Sequence, residues 1–517
     1  MCEEKKNTTT PSGGKTEKQP SLLDQVAKKK SLLAQCLMNG AIILLVTGSG
    51  MPIGFSAILL PQLQAPNSDI PTDDNWASWI ASVHSIMSPL GSLLAGPLMD
   101  RLGRRCVLQL SSLPMVAGWF LIAIAPDLWW IAAGRMLAGF AVGMVPATSQ
   151  VLIGEVSEPR LRGVFASSPN LSYALGILMV YTLGSIWPWR VVAALSSALP
   201  AAGLILMATL PESPVWLVNS GRVDKARKSL LWLRGGDQCK VNHELHLLVV
   251  HLKSQQDQEA CQEQDTCHVL PEEITALKRP EVFKPFLIIL IFSLLQILSG
   301  PYVVIFYGVN LISSASGCRD TDIHSLTVAV MTALVRFVVS IVTTVCLLRL
   351  GRRKIGIVSG IGTALACILL VTFLQMNDHG KIQIDGDLKI AIIATLIMIY
   401  VAMNTFGLFS LPCMMIGEVL PARVRGFVSG IFVTILNVII FSTTKSYPFI
   451  ASFLGPSGVF LAFAIVALLA TVYIYFFLPE TRDRPLTQIE NYFAVGKNYL
   501  WIRRDKSLIA RKSTLHH

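Results

Sequence analysis

The chain has 517 residues, of which 52% are hydrophobic and only 15% charged, whereas soluble domains carry about a quarter charged residues. That deficit excludes an ordinary water-soluble globule and predicts a bilayer-embedded surface. The net charge of +11 falls in short basic runs between apolar stretches, which points to positive membrane loops rather than to a nucleic-acid patch.

A helix needs about 20 apolar residues to cross the hydrocarbon core. The first thirty or so residues are polar, so the first apolar run does not read as a cleaved signal peptide. Six candidate spans follow, near 36–60, 77–98, 106–125, 129–153, 164–186 and 190–210. The segment 211–283 then breaks the pattern. It is charged, rich in Gln, Glu, Lys and His, and too long for a turn, with a helix expected over 222–234. Six more spans fall near 284–310, 323–348, 355–375, 388–416, 427–450 and 457–478. The expected organisation is an all-α membrane protein of twelve transmembrane helices. An N-terminal tail (1–35) precedes a six-helix bundle (36–210). A central linker (211–283) leads to a second six-helix bundle (284–478) and a C-terminal tail (479–517).

Lysine and arginine set the expected orientation. Lys28, Lys29 and Lys30 precede the first span. Arg101, Arg104 and Arg105 follow the second, Arg160 and Arg162 the fourth. Arg349, Arg352, Arg353 and Lys354 follow the eighth, Arg423 and Arg425 the tenth. Alternate loops carry almost none. The positive-inside rule then puts both termini and the linker in the cytoplasm of a multi-pass cell-membrane protein. The Asn7-Thr8-Thr9 sequon falls on the wrong side for glycosylation.

The two halves repeat short motifs at matching helix ends. Asp100-Arg101-Leu102-Gly103-Arg104-Arg105 returns as Arg349-Leu350-Gly351-Arg352-Arg353. Gly154-Glu155 through Arg162-Gly163 returns as Gly417-Glu418 through Arg425-Gly426. Pro211-Glu212-Ser213 returns as Pro479-Glu480-Thr481. Transporters built from parallel repeats hold their cavity between the halves near the midplane. The recurring charges, Arg101, Arg104, Arg105, Glu155, Arg162, Glu212, Arg352, Arg353, Glu418, Arg425 and Glu480, suit a cytoplasmic gate that pairs when closed and separates when open; the alternative is that they only anchor topology. Arg135 is expected to pair with Glu155 on the same side.

Within the spans, polar residues are few. Arg336 sits in Leu334-Val335-Arg336-Phe337-Val338, where a central arginine costs roughly 2.5–3.5 kcal/mol on insertion scales. It must face a wet cavity or a partner, or snorkel to an interface. Asn170, Gln296 and Asn437 are amides that bind solute or bridge helices. The first span, through Gly48-Ser49-Gly50-Met51-Pro52-Ile53-Gly54-Phe55, has no carboxylate to carry a proton. No Walker loop, His-Glu-x-x-His or Gly-x-Ser-x-Gly motif occurs, so no enzyme, cofactor or metal is expected.

Together these motifs, with Gly134-Arg135 and Pro211-Glu212-Ser213-Pro214, resemble the sugar porter family of the major facilitator superfamily, over about residues 35–490. Within it the chain looks most like the insect facilitated trehalose transporters and animal glucose facilitators. The resemblance implies two six-helix bundles that rock around a sugar site. It maps the family's sugar contacts onto Asn170, Gln296, Tyr302, Tyr307, Arg336 and Asn437. The chain departs from the family pattern at Ile297, Tyr302, Arg336, Cys413 and Val438 in the pocket, and at Leu348 and Val215 near the gate. It also lacks the first-helix aspartate of the family's proton symporters. The reading is a facilitator of trehalose or hexose, with the solute and the lipid bilayer as its partners. Two alternatives stay open: a carrier of another polar or anionic solute, and a transporter-like sensor that binds without cycling.

Overall fold

The computed structural model of the chain describes residues 22–65, 69–263, 280–316, 322–378, 386–419 and 425–480. Regular structure among them is helical. The first half holds α1 (Leu22–Gln64), α2 (Asp74–Leu102), α3 (Arg104–Ala123), α4 (Leu128–Val156), α5 (Pro159–Ile186), α6 (Trp189–Ser196) and α7 (Ala198–Thr209). The linker forms α8 (Pro214–Asn219), α9 (Val223–Leu233) and α10 (Gln238–Glu263). The second half holds α11 (Pro280–Leu298), α12 (Pro301–Ser316), α13 (Asp322–Arg349), α14 (Arg352–Asp378), α15 (Gly386–Asn404), a π-helical turn (Thr405–Phe409), α16 (Leu411–Val419) and α17 (Arg425–Phe477).

The surface is that of a multi-span membrane protein. Nine helical stretches among the described residues are long and apolar enough to cross a bilayer. Phe453, Phe449 and Trp129 are 83%, 78% and 69% exposed. In water such apolar area would cost about 25 cal/mol per Å²; in lipid it costs nothing.

The interior carries the opposite pattern. Ser78, Ser82, Ser85, Ser88 and Ser92 of α2 are all buried. The hydroxyls of Ser82, Ser88 and Ser92 turn back on their own helix, as Ser82 does to the carbonyl of Ser78 at 2.7 Å. Small residues let the backbones close up. A Cβ at Gly143 would strike the backbone of Ser88 on α2, and Ser88 donates to the carbonyl of Gly139 on α4 at 3.0 Å.

Several helix bounds differ from expectation. α1 starts at Leu22, so Lys28–Lys30 belong to its first turns rather than to a tail. The stretch read as 190–210 is interrupted at Ser197, between α6 and α7. That read as 284–310 is two helices, parted at Ser299 and Gly300. That read as 388–416 contains the π-helical turn. The last two candidates lie in one 53-residue stretch, which loses helical geometry at Gly455 (φ 67°, ψ 173°), just before Pro456. The linker helix expected over 222–234 is α9.

The linker packs against the first half. Arg234, which caps the end of α9, makes a two-point ion pair with Glu244 of α10, at 2.8 and 2.7 Å. It also donates to the carbonyl of Val156, the last residue of α4, at 3.2 Å. Ser31 of α1 donates to Leu233 O at 2.9 Å. The two halves meet where α2 faces α17, α5 faces α13 and α1 faces α12.

Candidate functional site

Two polar regions stand out, one at the helix ends that bear the arginine loops and one buried among the helices of the second half, beside the α5–α13 seam.

At the arginine end the sequence repeat returns as similar side-chain bonds in the two halves. Arg104 donates to Met99 O at 3.1 Å, and Arg352 to Leu347 O at 3.2 Å. Arg105 donates to Ala208 O at 2.8 Å, and Arg353 to the carbonyl of Tyr475. The first pair spans five residues in each half, and in the second the acceptor lies a few residues before the Pro-Glu motif. The acidic residues of the Pro-Glu motifs take backbone amides. Glu212 accepts the N–H of Arg105 at 3.0 Å and of Ser213 at 2.9 Å. Glu480 accepts those of Arg352 and Arg353 at 3.0 and 3.2 Å.

A carboxylate there satisfies orphan donors in the first turn of α3 or α14 and faces the positive end of its dipole. Glu480→Ala should therefore cost about 1–2 kcal/mol of stability. A thermal melt of the purified protein reads this, and an unshifted midpoint would show that the cap contributes nothing.

Glu155 pairs with Arg104 at 3.2 Å and accepts a bond from Ser213. It does not pair with Arg135. Twenty residues separate the two along α4, about 30 Å at helical rise. Arg135 is instead buried between α1, α2 and α4. It donates to Pro52 O (2.5 Å), Ile80 O (3.2 Å), Ala81 O (3.4 Å) and the hydroxyl of Ser56. Arg101 is exposed at the end of α2, apart from this cluster. The side chains of Arg162, Glu418 and Arg425 lie outside the described residues.

The second region is built around two breaks in helical geometry. The first parts α11 from α12. Gly300 adopts φ 93°, a conformation that strains any L side chain. A Cβ there would also collide with the ring of Phe463. The second is the π-helical turn 405–409, a form that concentrates at functional sites. Ser359 of α14 holds this turn, donating to Met403 O at 2.5 Å and accepting from Leu408 N at 2.9 Å.

The two breaks are tied together at Ser299. Asn404 donates to Ser299 Oγ at 3.0 Å. Tyr400 donates to Ser299 O at 2.7 Å. Ser299 Oγ in turn donates to the carbonyl of Gln296 at 2.7 Å. The side-chain amide of Gln296 is buried, and its Nε2 has no partner among the described residues. The same holds for Asn404 Oδ1 and Thr405 Oγ1. An unpaired buried donor or acceptor costs about 1–3 kcal/mol, so a cluster of them is poised for an outside partner.

The other expected pocket residues are spread along this seam. Arg336 on α13 is 4% exposed, so it does not snorkel to water. Its guanidinium carbon lies 5.3 Å from the ring centre of Phe409, and the ring of Tyr302 lies 5.7 Å from the same phenyl. Tyr307 is buried. It donates to Thr444 O at 3.2 Å, and its backbone leaves the helical range at φ −122°, ψ 19°. Asn170 is half-buried on α5. Asn437 is half-buried on α17, its amide turned back to Val433 O at 3.0 Å. Sequence reading missed Tyr181, Tyr400, Asn404 and Thr405. Tyr181 on α5 joins the halves, donating to Ile305 O of α12 at 2.7 Å. A signal for Asn404 existed: a lone amide in a strongly apolar span.

Comparison with known proteins fits this arrangement. The family described as Sugar (and other) transporter matches residues 32–493. The chain belongs to this family. The facilitated trehalose transporter Tret1 of Culex quinquefasciatus is 30% identical over 465 residues, 89% of this chain and 86% of that protein. Tret1 of Polypedilum vanderplanki is 31% identical over 451 residues, 86% of each. Among solved structures, the partially occluded inward open xylose transporter XylE from E. coli superposes with a TM-score of 0.69. It is 17% identical, covering 88% of this chain and 100% of that one. The proton:xylose symporter XylE bound to 6-bromo-6-deoxy-D-glucose gives 0.68 at 18% identity, covering 88% and 99%. At that identity the likeness establishes the major facilitator fold.

Proposed function

We propose that this chain carries a sugar-like solute across the cell membrane by facilitated, alternating-access transport, with trehalose and hexoses as the first candidates. Twelve crossings follow if the serine-rich α2 and α5 each span and α17 turns back at Gly455. Both termini and the linker then face the cytoplasm, as the arginine loops require.

The observation that carries the reading is the Gln296–Ser299–Asn404 cluster. Buried neutral donors and acceptors, with Gln296 Nε2, Asn404 Oδ1 and Thr405 Oγ1 unpaired among the described residues, match what an uncharged polyol needs. The broken helices beside them supply the backbone irregularity that carriers concentrate at a midplane site. Family membership and the Tret1 relatives support the solute class. The arginine-end cluster ties helix ends together within each half, which suits halves that move as units when that side opens.

The test is uptake of labelled glucose and trehalose by cells expressing the chain at their surface, with and without a proton gradient. Saturable uptake that ignores the gradient is expected. Gln296→Ala should lower it about tenfold, the value of one well-placed hydrogen bond in a dry site. Uptake that stays linear in solute concentration, from protein shown to be at the surface, would sink the proposal for those two sugars.

A further inference from the structure

Among the described residues two arginines, Arg135 and Arg336, are buried well inside membrane-spanning helices, away from the helix ends, and the fold treats them differently. Arg135 is stitched to three carbonyls and a hydroxyl from α1 and α2. That is how a structural arginine is satisfied in a dry interior. Arg336 has no such set. Its Nη1 is buried and has no hydrogen-bond partner among the described residues. None of the carboxylates described pairs with it. Among the described residues no Asp or Glu is fully buried at all, so nothing in the interior neutralises this charge.

The groups that do reach Arg336 are neutral and electron-rich. The face of Phe409 lies beneath it, a contact worth up to about 2 kcal/mol when desolvated. Tyr173, Tyr181, Tyr302 and Tyr400 lie within electrostatic range. Two of these hydroxyls already donate elsewhere, Tyr181 to Ile305 O and Tyr400 to Ser299 O. Their oxygens therefore offer lone pairs. These contacts soften the burial of a cation but leave its forked donors unused. On α13 the flanking Leu334 and Val338 are exposed, so Arg336 occupies the inward face, on the side of the π-helical turn that anchors the polar cluster.

A guanidinium with free donors in a low-dielectric seam selects an anion, and its planar fork fits a carboxylate at two points. We infer that this carrier also takes a solute that bears a carboxylate beside its hydroxyls: Arg336 takes the carboxylate, and the Gln296–Ser299–Asn404 cluster takes the hydroxyls. The class is a small hydroxylated monocarboxylate, such as a hexuronate, carried in addition to neutral sugars. This rests on reading the chain as a carrier with a hydroxyl-binding seam.

The experiment separates the two readings by charge. The full-length chain is reconstituted in vesicles with an imposed potassium-diffusion potential. Uptake of labelled D-glucuronate and D-glucose is then compared. A carried monoanion equilibrates with the potential, so glucuronate accumulation should rise about tenfold for each 60 mV inside-positive. Glucose accumulation should not move. Arg336→Gln should cut glucuronate uptake tenfold or more and spare any glucose flux, while Arg336→Lys should keep part of the anion flux. Saturable glucose uptake, with glucuronate neither carried nor competing, would overturn this inference and leave the sugar facilitator standing. No saturable flux of either solute would overturn both. If Arg336→Gln does not fold, the potential dependence of the parent chain still decides.

Discussion

Replacing Gly300 by valine should abolish uptake and lower stability by about 2–5 kcal/mol. Two costs combine. At φ 93° an L side chain is strained by roughly 1–2 kcal/mol. The new Cβ would also sit 2.5 and 2.6 Å from two carbons of the Phe463 ring. That ring has little room to yield, because it stacks on Tyr400 at 6.4 Å and abuts Phe460 at 5.8 Å. Overpacking of this kind typically costs about 1–3 kcal/mol.

The functional consequence reaches beyond the clash. Gly300 follows Ser299, which receives both Tyr400 and Asn404. A shift at residue 300 therefore moves the anchor of the polar cluster. Gly300→Ala keeps the strain but lacks the branch, so it should be milder in both measures. Uptake and a thermal melt on the purified variants check this together. Parent-like uptake by Gly300→Val would show that the break between α11 and α12 is not where the solute is held.

The family and the helical membrane fold were legible in the sequence because their causes are local and strong. A bilayer demands about 20 apolar residues per crossing, and the duplicated Gly-Arg-Arg and Pro-Glu motifs mark equivalent helix ends. What hydropathy does not register is a change of direction inside an apolar run. Ile297, Leu298 and Val303 are as apolar on either side of Gly300 as within any helix, so the break there was read through. The π-helical turn after Asn404 was hidden in the same way.

Side-chain bonds to backbone were equally silent. The pairing of Glu212 and Glu480 with helix amides has no spacing signature beyond the repeat itself, which suggested charge pairs instead. Arg336 was recognisable as anomalous from its apolar neighbours, but only the structure distinguishes it from Arg135. One has its acceptors and the other lacks them.

Arg135 carries the second large prediction, and it concerns the rigidity of the first half. Arg135→Ala should destabilise the protein by about 2–4 kcal/mol. Removing the guanidinium also removes the cost of burying it, and that offset can be large. The carbonyls of Pro52, Ile80 and Ala81 lie inside α1 and α2 and keep their own helix bonds. The net loss is therefore set by the cavity left by a side chain that is 0% exposed and by the loss of charge-assisted bonds joining three helices.

Arg135→Lys should recover little, since a point charge cannot serve acceptors on α1 and α2 at once as a planar fork does. Arg135→Met should recover more stability, because it refills the volume without a buried charge. Uptake should follow a different order. A half that rocks as a unit needs α1, α2 and α4 held together, and methionine restores packing without the cross-links. Stability near the parent value with depressed uptake in Arg135→Met would identify the arginine as a staple for the moving half. Parent-like melting and uptake in both Arg135→Ala and Arg135→Lys would show that the staple contributes nothing measurable.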